Sequence, residues 1–454
     1  MSPSVIPAVG PLISSLVSSG VSRYGSFKLL GPVAIFDGVR VKPVPQSKED
    51  IFRDKNLSHI DKRRLMRFLM FAAGEFEQSK ELIDNTDIPF LDFLTSTFSL
   101  TEEIARTITF AMAYCSSQSE PTLPALHRVR NCLRSTGRYG PSAFLVGYYG
   151  GSGEIAQGFC RTSAVNGGVY ILGRNVLAIN RTDGNSETSR QSRYTIEVEG
   201  IPESLISQCL ISSPHHVPEH LCSLAASTST LGPTTGILQA VAVARCIAIV
   251  ERPILLNSPP PGTSHGDEGP TVAEAPEPDT SILVFPPGSL PHGSTTSSVH
   301  VLTTGPGTMS APAGKWIIYI TMPLFELTAT SPESLLKPYL DFVLSLADSS
   351  GLETRPLFLT HYIQHLRPSR GSPAPEDDNP CSILITPSLC PHTTQSPDEA
   401  ALVAEAIFWK AVSFLKSVRG GLQLSGAESS AEDIAIEGFW PPAGVTDEES
   451  DDGW

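Results

Sequence analysis

The sequence predicts a mixed α/β (α+β) protein with a helical block followed by a strand-rich part. Residues 57–136 hold apolar residues at helical spacing. From residue 160 onward short β-rich runs alternate with turns: VYILG, TIEVEG, CIAIVERP, ILVFPPG, VHVLTT and KWIIYIT. Before the helical block, Asp37-Gly38 separates two β-like runs in PVAIFDGVRVKPV. An Asp-Gly pair so placed is the strongest short-range hairpin signal.

Each element has its own local reason. Residues 5–21 carry a short apolar helical pattern. Ser58 can cap a helix that puts Leu65, Phe68, Leu69, Ala72 and Phe76 on one face. Met66, Met70 and Phe71 lie off that stripe, so this helix is expected to be contacted on two sides. They fit either an ordinary core or an adaptable pocket for a flexible apolar ligand, since Met repacks easily. Ser99 and Glu102 have capping-box spacing ahead of Ile104, Ile108, Ala111 and Cys115. Thr122 precedes a helical pattern of Leu126, Val129 and Leu133, and residues 397–417 carry another around Ala404, Phe408, Ala411 and Leu415. Residues 257–280 are rich in Pro, Gly and acids and read as a flexible insert; residues 367–380 are similar, and DEESDDGW forms an acidic tail.

Composition narrows the class. A chain of 454 residues, with 40% hydrophobic and 17% charged, has enough apolar material for a core and a length suited to about two to three domains. Its net charge is −15 and its pI near 5.2, which disfavours nucleic acid as a partner. Against that acidity, Arg53, Lys55, Lys62, Arg63, Arg64 and Arg67 cluster. The cluster is either a solvated helix face or a docking patch for an acidic partner. The eight cysteines form no C-x-x-C and follow no signal peptide, which predicts reduced thiols and a cytoplasmic location. No apolar run reaches the roughly 18–20 residues of a membrane helix. No lipid-anchor motif of the CaaX type closes the chain.

Residues 151–168 read GSGEIAQGFCRTSAVNGG, and the first six fit G-x-G-x-x-A. A dinucleotide fingerprint also needs a strand before, a helix after, and an acid about 20 residues on. FLVGYY could be the strand, but the helix would have to pass through Gly158, and Gly173 and Arg174 stand where the acid belongs. Such glycines can instead let backbone approach a protein partner closely. His216-Val-Pro-Glu-His220 spaces two histidines four apart, but Pro218 opposes the helix that would align them on a metal. No G-x-S-x-G, P-loop or H-E-x-x-H occurs. The residues themselves thus show no catalytic, cofactor or metal site.

GEIAQGFCRTSAVNGGVYIL (153–172) resembles a signature of the Rab GDP dissociation inhibitor and Rab escort protein superfamily, G-E-[LI]-x-Q-G-F-[AC]-R-x-x-A-x-x-G-G-x-Y-x-L. GVSRYGSFK (20–28), DKRRLMRFL (61–69), RYGPSAFL (138–145), RCIAIVERPI (245–254) and KWIIYIT (315–321) are similar to further family segments. The resemblance spreads over residues 5–345. It implies a discontinuous large domain of flavoprotein-monooxygenase type with an inserted all-helical domain. The division would be 1–45 (large-domain fragment), 46–140 (helical domain), 141–345 (large domain with the flexible insert 257–280) and 346–454 (C-terminal region with the acidic tail). Family members open with a strand and a true G-x-G-x-x-[ES] loop. MSPSVIPAVGP opens at a later point, so the resemblance implies missing N-terminal strands, exposed sheet edges and poor solubility of the chain alone.

The resemblance also implies roles. The signature would belong to the platform that grips GDP-bound Rab GTPases, with Glu154 and Arg161 as polar contacts and Val169 and Ile171 as apolar ones. An ion pair within the chain between Glu154 and Arg161 is the alternative. Gly167 and Gly168 would permit a tight turn, while YYGGSGE is one residue longer than the family's loop. Escort-type members dock the Rab geranylgeranyl transferase α/β heterodimer with a Phe and an Arg eleven residues apart, which Phe52 and Arg63 match. Packing of Phe52 in the helical core is the alternative. Val17, Val21 and Phe144 are nearest to the positions of a groove for the Rab tail. The helical domain would take the geranylgeranyl lipid. The implied protein is an escort that presents Rab for prenylation and delivers it to membranes, itself without catalysis or cofactor. A dissociation inhibitor that recycles prenylated Rabs is the alternative, and a flavin-dependent oxidoreductase a more distant one.

Overall fold

The computed structural model describes residues 4–46, 48–53, 57–182, 193–222, 226–227, 240–256, 279–347, 354–366, 382–388, 390–423 and 438–440. The chain opens with β1 (Val5–Pro7) and α1 (Pro11–Ser18), followed by β2 (Phe27–Leu29), β3 (Val33–Phe36) and β4 (Val41–Pro43). The single helical pattern over 5–21 is thus divided. Gly10 and Pro11 separate a strand from a helix, with Pro11 in the first turn, where its missing N–H costs nothing. β3 and β4 form the hairpin marked by Asp37-Gly38. Asp37 Oδ1 accepts from the N–H groups of Val39 and Arg40, both at 2.8 Å, and Gly38 has φ +104°.

Five helices come next: α2 (Lys48–Arg53), α3 (His59–Ala73), α4 (Phe90–Phe98), α5 (Glu102–Thr107) and α6 (Thr122–Ser135). Ser58 caps α3, its Oγ accepting from the Asp61 N–H at 3.1 Å. The second cap differs from the sequence reading. Ser99 takes a left-handed conformation, φ 52°, and closes α4. Thr101 is therefore the residue that opens α5, and no box with Glu102 forms. A π-helical turn, Ile108–Met112, extends α5 and ends before Cys115.

The strand-rich part comprises β5 (Phe144–Gly147), α7 (Ser152–Val165), β6 (Val176–Thr182), β7 (Arg193–Val198), β8 (Leu205–Ser207), β9 (Leu210–Ser212), α8 (Glu219–Cys222) and β10 (Ala226–Ser227). It continues with β11 (Ala242–Val250), β12 (Thr280–Phe285), β13 (Val299–Thr304), β14 (Trp316–Leu324), α9 (Pro332–Ser345), β15 (Phe358–His365), β16 (Ile383–Ile385) and α10 (Ser396–Gln423). The runs TIEVEG, CIAIVERP, ILVFPPG, VHVLTT and KWIIYIT fall on β7, β11, β12, β13 and β14. VYILG is no strand; it follows the turn at residues 166–167 that ends α7. His216 precedes α8 and His220 lies on it, so no single helix aligns the two. The predicted inserts at 257–280 (all but its last two residues) and 367–380, and the acidic tail, lie outside the described residues.

A seven-stranded mixed sheet, in the order β15-β11-β14-β13-β12-β3-β4, forms the centre; only β12 and β3 run parallel. Both its faces are covered, and the pleat sorts the side chains. Val33, Ile35, Ile282 and Val284 join the helical block's core, while Ala34, Phe36, Leu283 and Phe285 join a second core under α9. Alanines at 242, 244 and 248 on β11 give α9 a close seat, filled by Leu336, Tyr339 and Val343. Inside the helical block, rings of Phe68, Phe71, Phe76, Phe93 and Phe98 pack edge to face or tilted, with centroids 5.1 to 6.3 Å apart. Met66 and Phe71 lie against this core, whereas Met70 faces solvent.

Three smaller sheets flank the centre: antiparallel β1-β5-β2, antiparallel β6-β7-β8 and parallel β10-β16-β9. α10 buries Ala401, Val403, Ile407, Val412, Phe414 and Val418. That stripe is about one position off the one read from sequence, and Ala404 and Leu415 are exposed. No helix among the described residues is long and apolar enough to cross a membrane.

Candidate partner-binding surface

The glycine-rich stretch sits between β5 and α7. The backbone doubles back sharply: a Cβ on Gly147 would stand 2.7 Å from Gly151 Cα. Gly150 and Gly151 take φ +88° and +73°, and even Tyr149 is left-handed at 54°. The Gly150 N–H donates to Ser310 Oγ at 3.0 Å. The strand and the helix that a dinucleotide cradle needs are both present, and α7 does pass through Gly158. Their surroundings differ from a cradle. β5 is the middle strand of an antiparallel sheet, and α7 leads to β6 in another sheet, so no parallel βαβ unit forms.

Gly158 has a packing reason. A Cβ there would stand 2.5 Å from Val21 Cγ1. Ile155 and Phe159, beside it on the same side of α7, pack on Ile6, Leu12, Leu16 and Leu145. Glu154 and Arg161 are seven residues apart, hence on one face and about 10 Å apart along the axis. Glu154 is half-buried and Arg161 exposed. Among the described residues they make no ion pair with each other; the Arg161 guanidinium carbon instead lies 4.6 Å from the Tyr24 ring centroid.

α7 ends in a glycine cap. Gly167 has φ +90°, and the Gly168 N–H donates to the Ser163 carbonyl at 2.9 Å. A Cβ on Gly168 would be 2.3 Å from Ser163 Oγ. Beyond the cap the backbone is irregular until β6. Large apolar side chains stand exposed from there to the start of β6: Val169 86%, Tyr170 47%, Ile171 43%, Leu172 81%, Val176 57% and Leu177 65%. Val165, in the last turn of α7, is 81% exposed. An apolar run of this extent facing water is the mark of an interaction surface. The sequence pointed to Val169 and Ile171 alone. Tyr170 and Leu172 look like strand residues in sequence, and only the coordinates show them outside any strand.

Phe52 and Arg63 are both exposed, Phe52 at 61%. Ile51, not Phe52, is the residue of α2 that enters the core. Lys62 Nζ donates to the Phe52 carbonyl at 2.9 Å, tying the end of α2 to the start of α3. Val17, Val21 and Phe144 line no common surface. Val17 is exposed on α1, Val21 is buried beneath α7, and Phe144 is buried in the helical block's core against Tyr114.

Two buried polar groups, invisible to sequence spacing, fasten the C-terminal part to this framework. Asp398 of α10 accepts from the Leu12 N–H at 3.0 Å, at the start of α1, and from Asn131 Nδ2 at 3.4 Å. Glu120 pairs with Arg128, accepts from the Ser116 N–H at 3.0 Å and lies 3.5 Å from His392 Nε2. Burial alone would raise the Glu120 carboxyl, but Arg128 and His392 beside it hold it below its ordinary value.

Fold and site together describe an α/β scaffold that exposes a polar helix face and an apolar segment. The sequence model of the family "GDP dissociation inhibitor" matches residues 1–257, and the chain belongs to that family. It is similar to "Rab proteins geranylgeranyltransferase component A 2" of Mus musculus, 30% identical over 314 residues, 69% of this chain and 44% of that one. To "Rab proteins geranylgeranyltransferase component A" of Saccharomyces cerevisiae it is 28% identical over 353 residues, 78% of this chain and 52% of that one. The chain thus spans about half the length of the curated relatives it matches. The crystal structure of Rab GDI from Plasmodium falciparum superimposes with a TM-score of 0.62 at 17% identity, covering 89% of this chain and 81% of that one. That likeness fixes the fold.

Proposed function

We propose that the chain is a Rab escort protein, the accessory, non-catalytic component of a Rab geranylgeranyl transferase system. The observation that carries this reading is the exposed apolar segment Val169–Leu172, next to the Glu154/Arg161 face of α7, in a member of the GDP dissociation inhibitor family. In this reading Glu154, Arg161, Val169 and Ile171 contact GDP-bound Rab. Arg supplies a rigid fork of donors, and the apolar segment supplies the desolvated part of the interface. The helical domain, residues 46–140, docks the transferase heterodimer through Phe52 and Arg63. An exposed aromatic together with an exposed Arg has the composition of an interface anchor, and the exposure of Phe52 favours docking over packing. The same domain receives the geranylgeranyl chain, each buried methylene contributing about 0.8 kcal/mol. The remaining division is 1–45 and 141–345 for the large domain and 346–454 for the C-terminal region. The protein works in the cytoplasm and meets membranes only to deliver its cargo.

A dissociation inhibitor would bind prenylated Rab and ignore the transferase. Titration against purified Rab geranylgeranyl transferase separates the two readings. Binding that Phe52→Ala abolishes supports the escort; no binding by chain shown folded by circular dichroism overturns it in favour of the inhibitor.

A further inference from the structure

Residues 438–440, Gly-Phe-Trp, lie against α7 and α10. The Trp440 ring stacks on Phe159 of α7, with centroids 5.7 Å apart and planes 20° from parallel. Phe439 meets Trp440 at 4.5 Å and Phe408 of α10 at 5.1 Å. Four rings therefore run in an unbroken line from α10 to α7. A Cβ on Gly438 would approach the Trp440 carbonyl oxygen to 3.2 Å, so the tripeptide turns tightly to bring both rings onto the surface.

The position of Phe159 gives this contact meaning. At 100° per residue, its side chain leaves α7 about 140° from Glu154 and about 160° from Arg161. The ring line thus holds the back of the helix whose front carries the proposed partner contacts. Phe159 sits mid-helix in α7, within two turns of the end from which the glycine cap and the exposed Val169–Leu172 segment depart. Ile155 and Phe159 are partly buried against the cluster of Leu16 and Leu145, and Trp440 adds a ring contact to Phe159.

We propose that Trp440 is a positioning residue. With Phe439 it braces α7 against α10 and so fixes Arg161 and the Val169–Ile171 segment for partner binding. The proposal deepens the Rab-platform reading and rests on it.

The test compares the full chain with Trp440→Ala, Trp440→Phe and Arg161→Ala. It reads amide hydrogen exchange over residues 152–168 together with affinity for GDP-bound Rab. Trp440→Ala is expected to speed exchange in α7, leave exchange in α3 unchanged and weaken Rab binding roughly three- to tenfold. Trp440→Phe, which keeps a stacking ring, is expected to restore most of both. Should the alanine variant fail to fold, Trp440→Leu removes the ring while keeping part of the apolar bulk and gives the same readings. Unchanged exchange in α7 overturns the brace, whatever Rab does. Faster exchange with unchanged Rab affinity, while Arg161→Ala still weakens it, overturns the positioning role alone. If Arg161→Ala also leaves Rab affinity intact, the platform reading itself falls and the positioning role with it.

Discussion

Gly158 and Val21 are packed so closely that a Cβ at 158 would stand 2.5 Å from Val21 Cγ1. Val21 is buried and β-branched, so it has little rotamer freedom with which to yield. Helix propensity alone would favour alanine at 158 by about 1 kcal/mol. The clash outweighs that gain, and Gly158→Ala is expected to destabilise the chain by about 1–3 kcal/mol. Val21→Ala makes room for the added methyl, so the double variant should be more stable than the sum of the singles. Urea titrations of all four chains measure this coupling; strict additivity would show that α7 does not rest on Val21.

Arg161 contributes no buried contact, so its loss should act on binding and not on folding. Its guanidinium lies over Tyr24, itself exposed. Arg161→Ala is expected to change stability by no more than about 0.5 kcal/mol. Affinity for GDP-bound Rab should fall by about 2 kcal/mol, the threshold of an interface hot spot. Transferase binding should stay near normal. Equal loss of both interactions would signal misfolding or a wrong placement of the platform.

Phe52 gives a matching prediction on the helical domain. Ile51 already anchors α2 in the core, so Phe52→Ala should leave the thermal midpoint within about a degree or two. Ile51→Ala, by contrast, should cost about 2–5 kcal/mol. A large fall in the midpoint of Phe52→Ala would place its ring in the core and remove the reason to read it as a docking anchor.

What was legible in the sequence was local. Asp37-Gly38 built its hairpin because both the carboxylate acceptor and the left-handed glycine act within four residues. Ser58 capped α3 for the same reason. The Ser99–Glu102 spacing failed because Ser99 was taken by the preceding helix as its left-handed end, a competition that a motif does not reveal. On α10 two neighbouring stripes are both apolar, and periodicity does not say which one meets the sheet; Val403 and Ile407 do, leaving Phe408 for Phe439. Site legibility had the same limit. The resemblance points to Glu154 and Arg161, but the exposure of Leu172, Val176 and Leu177 depends on what the fold leaves uncovered between α7 and β6, an edge strand. Contacts such as His392 to Glu120 join residues far apart in the chain, and no local pattern encodes them.

Glu120 tests that long-range fastening. It is buried beside Arg128 and accepts from the Ser116 N–H, so removing it leaves a buried guanidinium without its counter-charge. Glu120→Ala is expected to cost about 3–5 kcal/mol. Because His392 also faces this carboxylate, limited proteolysis should open a cut around residues 390–396 in the variant that the parent lacks at the same protease dose. An unchanged cleavage pattern would show that the pair does not hold the C-terminal part in place.

Asp398 makes the pH prediction, and its sign is opposite to that of a salt-bridged carboxylate. Burial raises its pKa from 3.8 to about 6, even though it accepts from the Leu12 N–H and from Asn131. A folded-state value above the unfolded one means that the fold prefers the protonated acid. The ionised form therefore costs stability in full above about pH 6, and this cost fades as pH falls from 6 through 3.8, below which both states are protonated. The shift corresponds to about 3 kcal/mol at roughly 1.4 kcal/mol per pKa unit. Asp398→Asn keeps an oxygen to accept from Leu12 and cannot ionise. It should be more stable than the parent at pH 7.5, by up to about 3 kcal/mol, and nearly equal to it at about pH 3. Comparing the two chains at each pH cancels the titration of every other carboxylate, Glu120 included. Urea midpoints at the two pH values decide the matter. An asparagine variant that is less stable at pH 7.5 would show that the carboxylate's charge at the start of α1 outweighs its burial.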